Sequence, residues 1–228
     1  MNLLSIILQV SNNLITSPEA EEIKLSLWEL AKEGGWIMIV LAIFSVIAVY
    51  IFAERFVTIN KAAKKDDNFM NMIRNYMIEG KLDEAKDLCK QTDTSISRMI
   101  EKGLSRIGKP LNDIQTAIEN VGNLEVSKLE KGVDLIGMIS GAAPMLGFLG
   151  TVTGMIRAFY DMSMAGNNID IELLSAGIYE AMVTTVGGLF VGILAYIFYN
   201  VIVSKIDKVV NLLESKSIEF MDVLNEPA

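Results

Sequence analysis

The chain of 228 residues is 51% hydrophobic but only 7% aromatic, so its apolar character comes from aliphatic and small side chains. Its formal net charge of −8 at pH 7 argues against a nucleic-acid partner, because the phosphate backbone attracts basic surfaces. One cysteine and no histidine exclude an internal disulfide and any site that needs histidine.

The chain opens with the apolar sequence MNLLSIILQV. No basic residues precede this run and no small-residue cleavage site follows it, so it makes a poor signal peptide. An amphipathic segment on the membrane surface is the interpretation that we favour for residues 1–33. Trp28 and Trp36 flank the next apolar stretch, which is where interfacial anchors are common.

Three stretches without charge are each long enough to cross a bilayer, which takes roughly 20 apolar residues in a helix. They are residues 34–53, 135–156 and 173–204, and only Glu180 interrupts the last of them. Helices in soluble cores rarely hold such long apolar runs. The sequence therefore predicts an all-α integral membrane protein. Its transmembrane helices are expected at 34–56, 132–160 and 172–204.

Basic residues predict the orientation, because lysine and arginine near the ends of spans stay on the cytoplasmic side. The connection 161–171 has no basic residue. The basic residues that follow the first and third spans are Arg55, Lys61, Lys64, Lys65, Lys205, Lys208 and Lys216. We therefore expect residues 1–33 and 161–171 outside the cytoplasm, and residues 57–131 and 205–228 inside it.

The cytoplasmic region 57–131 has apolar residues at the i, i+3, i+4, i+7 spacing of helices. This period continues from Asn112 to Val133, which predicts a second membrane helix that begins inside the cytoplasm. Beyond Ser204 the pattern predicts that the third span extends as an amphipathic stalk. The region contains no catalytic constellation, phosphate loop or metal-spaced cluster, so we expect neither an enzyme nor a metal site.

Glycines at small-xxx-small spacing predict close helix packing, because backbones can approach where side chains are missing. The glycines of the second and third spans are Gly137, Gly141, Gly147, Gly150, Gly154, Gly187, Gly188 and Gly192. A tight hairpin within one chain and packing between subunits both fit this pattern.

Glu180 is the acidic residue inside the spans, and a carboxylate there costs a few kcal/mol unless it faces a bundle interior or a wet cavity. Counting about 1.5 Å per residue, Glu180 and Thr151 lie at similar depths on antiparallel helices. With Thr184 and Thr185 they predict a polar, proton-accessible patch. The alternative is an ion pair of Glu180 with Arg157. One acid makes no directional path, so a partner protein would supply a second titratable group.

Residues 143–152, APMLGFLGTV, and residues 177–188, GIYEAMVTTVGG, resemble the signatures of the MotA/TolQ/ExbB proton-channel family. The acid at Glu180 and the lack of a fourth span are similar to the ExbB/TolQ branch. One departure is Ala176, where that branch commonly has proline.

The resemblance implies a homopentameric ring in the bacterial inner membrane, with a periplasmic N-terminus. The ring would enclose two helices of an ExbD- or TolR-like single-span protein with an essential aspartate. Proton movement would turn these helices and energise a TonB- or TolA-like protein, with no cofactor. Thr151 and Thr185 would face the aspartate, Glu180 would tune the proton route, and Pro144 would kink the second span. The alternative function is a scaffold that stabilises its partner without conducting.

Overall fold

The computed structural model describes residues 34–63, 68–164 and 171–225. The predicted surface segment at 1–33, with Trp28, lies outside these residues. So do Lys64 and Lys65 and most of the predicted loop at 161–171. Within the described residues the fold is entirely helical.

Three of the described helices are long and apolar enough to cross a membrane, which confirms the predicted fold class. They are α1 (Gly35–Ala62), α6 (Val133–Met164) and α7 (Ile171–Asn225). Their exposed faces are rich in large apolar side chains, as lipid or neighbouring protein requires. The sides of the membrane on which the helix ends lie stay a prediction, as does the ring.

Four shorter helices connect α1 to α6, and local sequence features mark the end of one and the start of another. They are α2 (Phe69–Ile78), α3 (Leu82–Thr92), α4 (Ser95–Leu104) and α5 (Leu111–Glu130). Gly80, at φ +71°, follows α2 in a conformation that favours glycine. A capping box of Thr94 and Ser97 starts α4.

The helical period from Asn112 to Val133 predicted a helix that continues into the membrane, but the structure interrupts it at Lys131 and Gly132. Gly132 has φ +82°, which an L-residue with a side chain rarely adopts. The α-helix restarts at Val133. The apolar period alone missed this break, because residues on both sides keep their apolar faces toward one core.

The third span continues beyond Ser204 as one unbroken helix of 55 residues. The part of α7 beyond Ser204 buries Ile206, Val209, Leu213 and Phe220 in the same hydrophobic core as α4 and α5. This stretch is the amphipathic stalk that the sequence predicted. One helix therefore packs first in the membrane-spanning bundle and then against the short helices.

Pro144 lies inside α6, which stays helical on both sides of it. Its ring carbons lie 2.5 and 2.7 Å from where a Cβ on Gly192 of α7 would be. Proline thus fills a gap that glycine leaves on the neighbouring helix. The predicted kink at this residue stays a prediction.

Candidate functional site

The two signature segments face each other where α6 packs on α7, and glycine makes this contact possible. A Cβ on Gly147 would lie 2.9 Å from the carbonyl oxygen of Thr184 and 3.1 Å from Cα of Gly188. A Cβ on Gly188 would lie 2.6 Å from the carbonyl oxygen of Ala143. The distances of 2.9 and 2.6 Å are shorter than real Cβ contacts, and 3.1 Å is shorter than most of them, so the two backbones touch because neither residue has a side chain.

The contact continues toward the end of the bundle at which α6 ends and α7 begins. Gly150 leaves room for the side chain of Thr184, and Gly154 packs on Ala181. Gly177, which was not singled out from sequence as a packing residue, packs on Ala158 in the same row.

The remaining predicted packing glycines, Gly137, Gly141 and Gly187, differ in what they face. Gly187 faces the thioether of Met38 on α1, and Gly137 faces the ring of Tyr199. At Gly141 an added Cβ would meet no atom within 4 Å among the described residues. The structure therefore does not bring Gly141 into the α6–α7 contact, and a role for it between subunits stays a prediction.

The three predicted threonines use their hydroxyl protons within the protein. Thr184, only 2% exposed, donates to the carbonyl oxygen of Ala181 at 2.7 Å. Thr151 donates to that of Phe148 at 2.6 Å. Thr185 differs, because it donates across the helix pair to the carbonyl oxygen of Gly147 at 3.1 Å. Each hydroxyl oxygen can still accept a hydrogen bond.

Glu180 and Arg157 line one small hollow between α1, α6 and α7, together with Thr153 and Thr184. The hollow has a volume of about 160 Å³. Among the described residues no ion pair or hydrogen bond joins Glu180 to Arg157. The alternative that sequence reasoning left open, a direct pair of these two residues, is therefore not formed.

Thr151 lies on a different face of α6, in a shallow apolar hollow with Val152, Met155, Ile156 and Phe159. The structure thus brings Glu180 and Thr184 together but leaves Thr151 outside their hollow. Equal depth along antiparallel helices did not imply a shared cavity, because residues on one helix also differ in angle about its axis.

Sequence reasoning missed the contribution of α1 to the site. Gly35 has φ +62°, and a Cβ there would lie 2.7 Å from Oε1 of Glu180. The carboxylate therefore lies against the first residue of α1. In the sequence, the adjacent glycines Gly34 and Gly35 at the start of the first span could have indicated that α1 approaches another helix closely there.

A second buried carboxylate lies away from the membrane, where Glu125 of α5 is 3% exposed. Arg98 and Ser95 donate to its Oε2 at 2.6 and 3.0 Å, and Lys128 donates to its Oε1 at 2.7 Å. Burial acts to raise the pKa of Glu125, but these hydrogen bonds outweigh it and lower the pKa to about 2. The hydrogen bonds of Glu125 to Ser95 and Arg98 link α5 to α4, and Glu125 is not among the residues that line the hollow at Glu180.

Comparison with known families agrees with this geometry. The sequence model of the MotA/TolQ/ExbB proton channel family matches residues 91–215, more than half of the chain. The match begins in α3 and ends in α7, so it includes the α6–α7 glycine contact, the threonines and Glu180.

Individual relatives carry ExbB and TolQ names. An ExbB-like biopolymer transport protein of Synechocystis is 29% identical over 175 residues, which cover 75% of this chain and 68% of that protein. The Tol-Pal system protein TolQ of Haemophilus influenzae is 32% identical over 100 residues, 44% of this chain and 42% of that protein. The biopolymer transport protein ExbB of Neisseria meningitidis is 23% identical over 178 residues, covering 72% and 79%.

Proposed function

Since this chain belongs to the MotA/TolQ/ExbB proton channel family, we propose that it is the ring subunit of a motor driven by the proton-motive force. Its relatives place it in the ExbB/TolQ branch, whose members are components of transport complexes and not enzymes. The motor works in the bacterial inner membrane and energises a TonB- or TolA-like protein for outer-membrane transport or envelope work.

The observation that carries the proposal is the position of Glu180. Its carboxylate lies among apolar helices, half-buried, in a hollow that also holds Arg157 and two threonines. Ionisable groups inside membranes are costly and mark ion or proton pathways. A carboxylate that can gain and lose a proton in that position is what proton transport needs.

A partner protein is needed because the apolar stretches of the three spans contain a single acid. Glu180 alone cannot give a proton path a direction, so a second acid comes from an ExbD- or TolR-like single-span protein inside the ring. Five copies of this chain surround two partner helices, with Thr151 and Thr185 facing the partner's aspartate. No cofactor takes part, and the proton is the transported ion. The basic residues beside the spans orient the N-terminus to the periplasm and the C-terminus to the cytoplasm.

The proposal is tested by proton flux into vesicles that contain the full chain and its single-span partner. We expect Glu180→Gln, and separately the double variant Thr151→Ala/Thr185→Ala, to abolish flux while the complex still assembles. Ser163→Ala is the matched control, because its exposed hydroxyl also donates to a backbone carbonyl of α6. Wild-type flux in Glu180→Gln would refute the proposal.

A second candidate function is a non-conducting scaffold, and the hydroxyl contacts favour it. The threonines at 151, 184 and 185 all donate to carbonyl oxygens, as purely structural threonines do. A scaffold would stabilise its partner through the α6–α7 surfaces without moving protons. The same vesicles discriminate the two functions, because with a scaffold the wild type and Glu180→Gln would show the same flux.

A further inference from the structure

The hollow at Glu180 lies within a single subunit and is built from three helices. The start of α1 forms one wall, with Gly34 and Trp36, and α6 and α7 form the others. We call it the three-helix hollow. It lies at the end of the bundle where α1 begins and where α6 and α7 are connected. It is distinct from the apolar hollow at Thr151.

The chemistry of its walls suits water. About 160 Å³ holds several water molecules, which need polar partners to stay in a cavity. Arg157 offers up to five donors and Glu180 offers acceptors, and neither has a hydrogen-bonding partner among the described residues. The oxygens of Thr153 and Thr184 can also accept. Because charged groups are costly to desolvate, water meets them here.

Gly35 lies between two lining residues of the hollow, Gly34 and Trp36, and against the carboxylate of Glu180. Its φ of +62° is a conformation that glycine adopts without strain. A side chain there would also meet the Glu180 carboxylate, since a Cβ would lie 2.7 Å from Oε1. Gly35 therefore lets α1 begin beside Glu180 without covering its oxygen.

We propose that the three-helix hollow is a water-filled vestibule through which Glu180 exchanges protons with the side of the membrane where α6 and α7 are connected. A hydronium ion in the vestibule gives its proton to a carboxylate oxygen of Glu180 and leaves a water molecule. Each subunit then has its own access route, separate from the surface that holds the partner. This inference rests on the proposed function and adds the route and its positioning residue, Gly35.

The first test places a thiol in the vestibule with Thr153→Cys, in cells that make the full chain and its partner. The probe is a sulfonate-bearing methanethiosulfonate, which does not cross membranes. We expect the introduced thiol to be modified and proton flux to fall to the level of Glu180→Gln. We expect the native Cys89 not to react with the probe, because it is 1% exposed and burial raises its pKa to about 12.

Ser163→Cys, on an exposed turn near the end of α6, reports whether the probe reaches this side of the membrane. If Ser163→Cys is modified and Thr153→Cys is not, the vestibule is refuted. Modification of Thr153→Cys with unchanged flux refutes it equally.

The second test is Gly35→Ala, compared with Gly80→Ala. Both glycines have positive φ, at +62° and +71°, so both variants carry similar backbone strain. A Cβ at Gly80 meets no atom within 4 Å among the described residues, whereas one at Gly35 meets Glu180. We expect Gly35→Ala to lose flux with the complex assembled and Gly80→Ala to keep it. Wild-type flux in Gly35→Ala overturns the role of Gly35, and if that variant does not assemble, the thiol experiment decides.

Glu180→Gln separates this inference from the proposed function. If Glu180→Gln conducts normally, the proposed function falls and the vestibule with it. If Glu180→Gln abolishes flux while the modified Thr153→Cys protein conducts normally, only the vestibule is refuted.

Discussion

Two acids of this chain, the buried Glu125 and the half-buried Glu180, differ in the groups around them. Glu125 accepts hydrogen bonds from Arg98, Ser95 and Lys128. Glu180 has no such partner among the described residues and faces a hollow. An acid with all its hydrogen bonds satisfied stabilises a structure, whereas an acid that faces water can exchange a proton.

Glu125→Gln removes the negative charge that three donors share. We expect it to destabilise the packing of α4 on α5 by about 2 kcal/mol, since hydrogen bonds to a charged group are stronger than neutral ones. Thermal unfolding in detergent micelles, followed by circular dichroism, measures the loss. The control is Glu130→Gln on the exposed side of α5, expected to change stability by less than about 0.5 kcal/mol. Equal melting of both variants and wild type would contradict this role for Glu125.

The stabilisation from Glu125 also depends on pH. Its pKa is lowered from 4.5 to about 2 in the folded protein, so its contribution is complete above about pH 4.5. It is lost as the pH falls through 2. The stability difference between wild type and Glu125→Gln should therefore shrink as the pH falls from about 4.5 to about 2. The contributions of the other acids are the same in both proteins and cancel in this difference. A difference that stays constant over this range would contradict the lowered pKa.

At the scale of elements, α6 and α7 pack with their backbones in contact. The contact depends on Gly147 and Gly188, and the hydrogen bond from Thr185 to the carbonyl oxygen of Gly147 crosses it. Lipid offers no hydrophobic force between helices, so close van der Waals packing and such hydrogen bonds hold them together.

Gly147→Ala should push the two helices apart, because its Cβ would lie 2.9 Å from a carbonyl oxygen of α7. We expect a loss of roughly 1–3 kcal/mol, as for overpacked cores. Gly141→Ala is the matched control in the same helix, since an added Cβ meets no described atom within 4 Å. Thermal midpoints in micelles compare the two, and an unchanged midpoint for Gly147→Ala would show that the contact is less tight than described.

At the scale of the whole molecule, α7 connects the apolar helix bundle to the shorter helices α4 and α5. Ile202 is buried near the end of the apolar stretch. About five turns further on, the fully buried Phe220 lies against Gly103 of α4, as does Ile118 of α5. One continuous helix, α7, therefore joins the apolar bundle to α4 and α5 without an intervening loop.

Phe220→Ala should detach the part of α7 beyond Ser204 from the hydrophobic core that it shares with α4 and α5. Removing a fully buried phenylalanine typically costs about 3–5 kcal/mol. Ile218→Ala, on a side chain that is 63% exposed, is the control and should change stability by less than about 0.5 kcal/mol. Limited proteolysis of helices α2 to α5 measures the effect. Equal resistance of the two variants would mean that the membrane bundle alone holds α7 in place.

The sequence alone predicted the features that depend on composition and period. Three uncharged stretches predicted the spans, because a bilayer core requires long apolar helices. The segments 143–152 and 177–188 indicated the family. Glu180 was the leading site residue because it lies deep in a span and its neighbours are apolar. The glycines at 147, 150, 154 and 188 were expected to allow close packing, and the structure has them at the α6–α7 contact.

Only the tertiary structure decided which of these residues meet. It separated Thr151 from the hollow of Glu180, left Arg157 unpaired with Glu180, and broke the helix at Gly132. It also placed Gly35 of the first span beside a carboxylate 145 positions later in the chain. Depth along a helix can be counted in sequence. The rotation of each helix about its axis, and the neighbour that it packs against, follow from side-chain packing between distant segments.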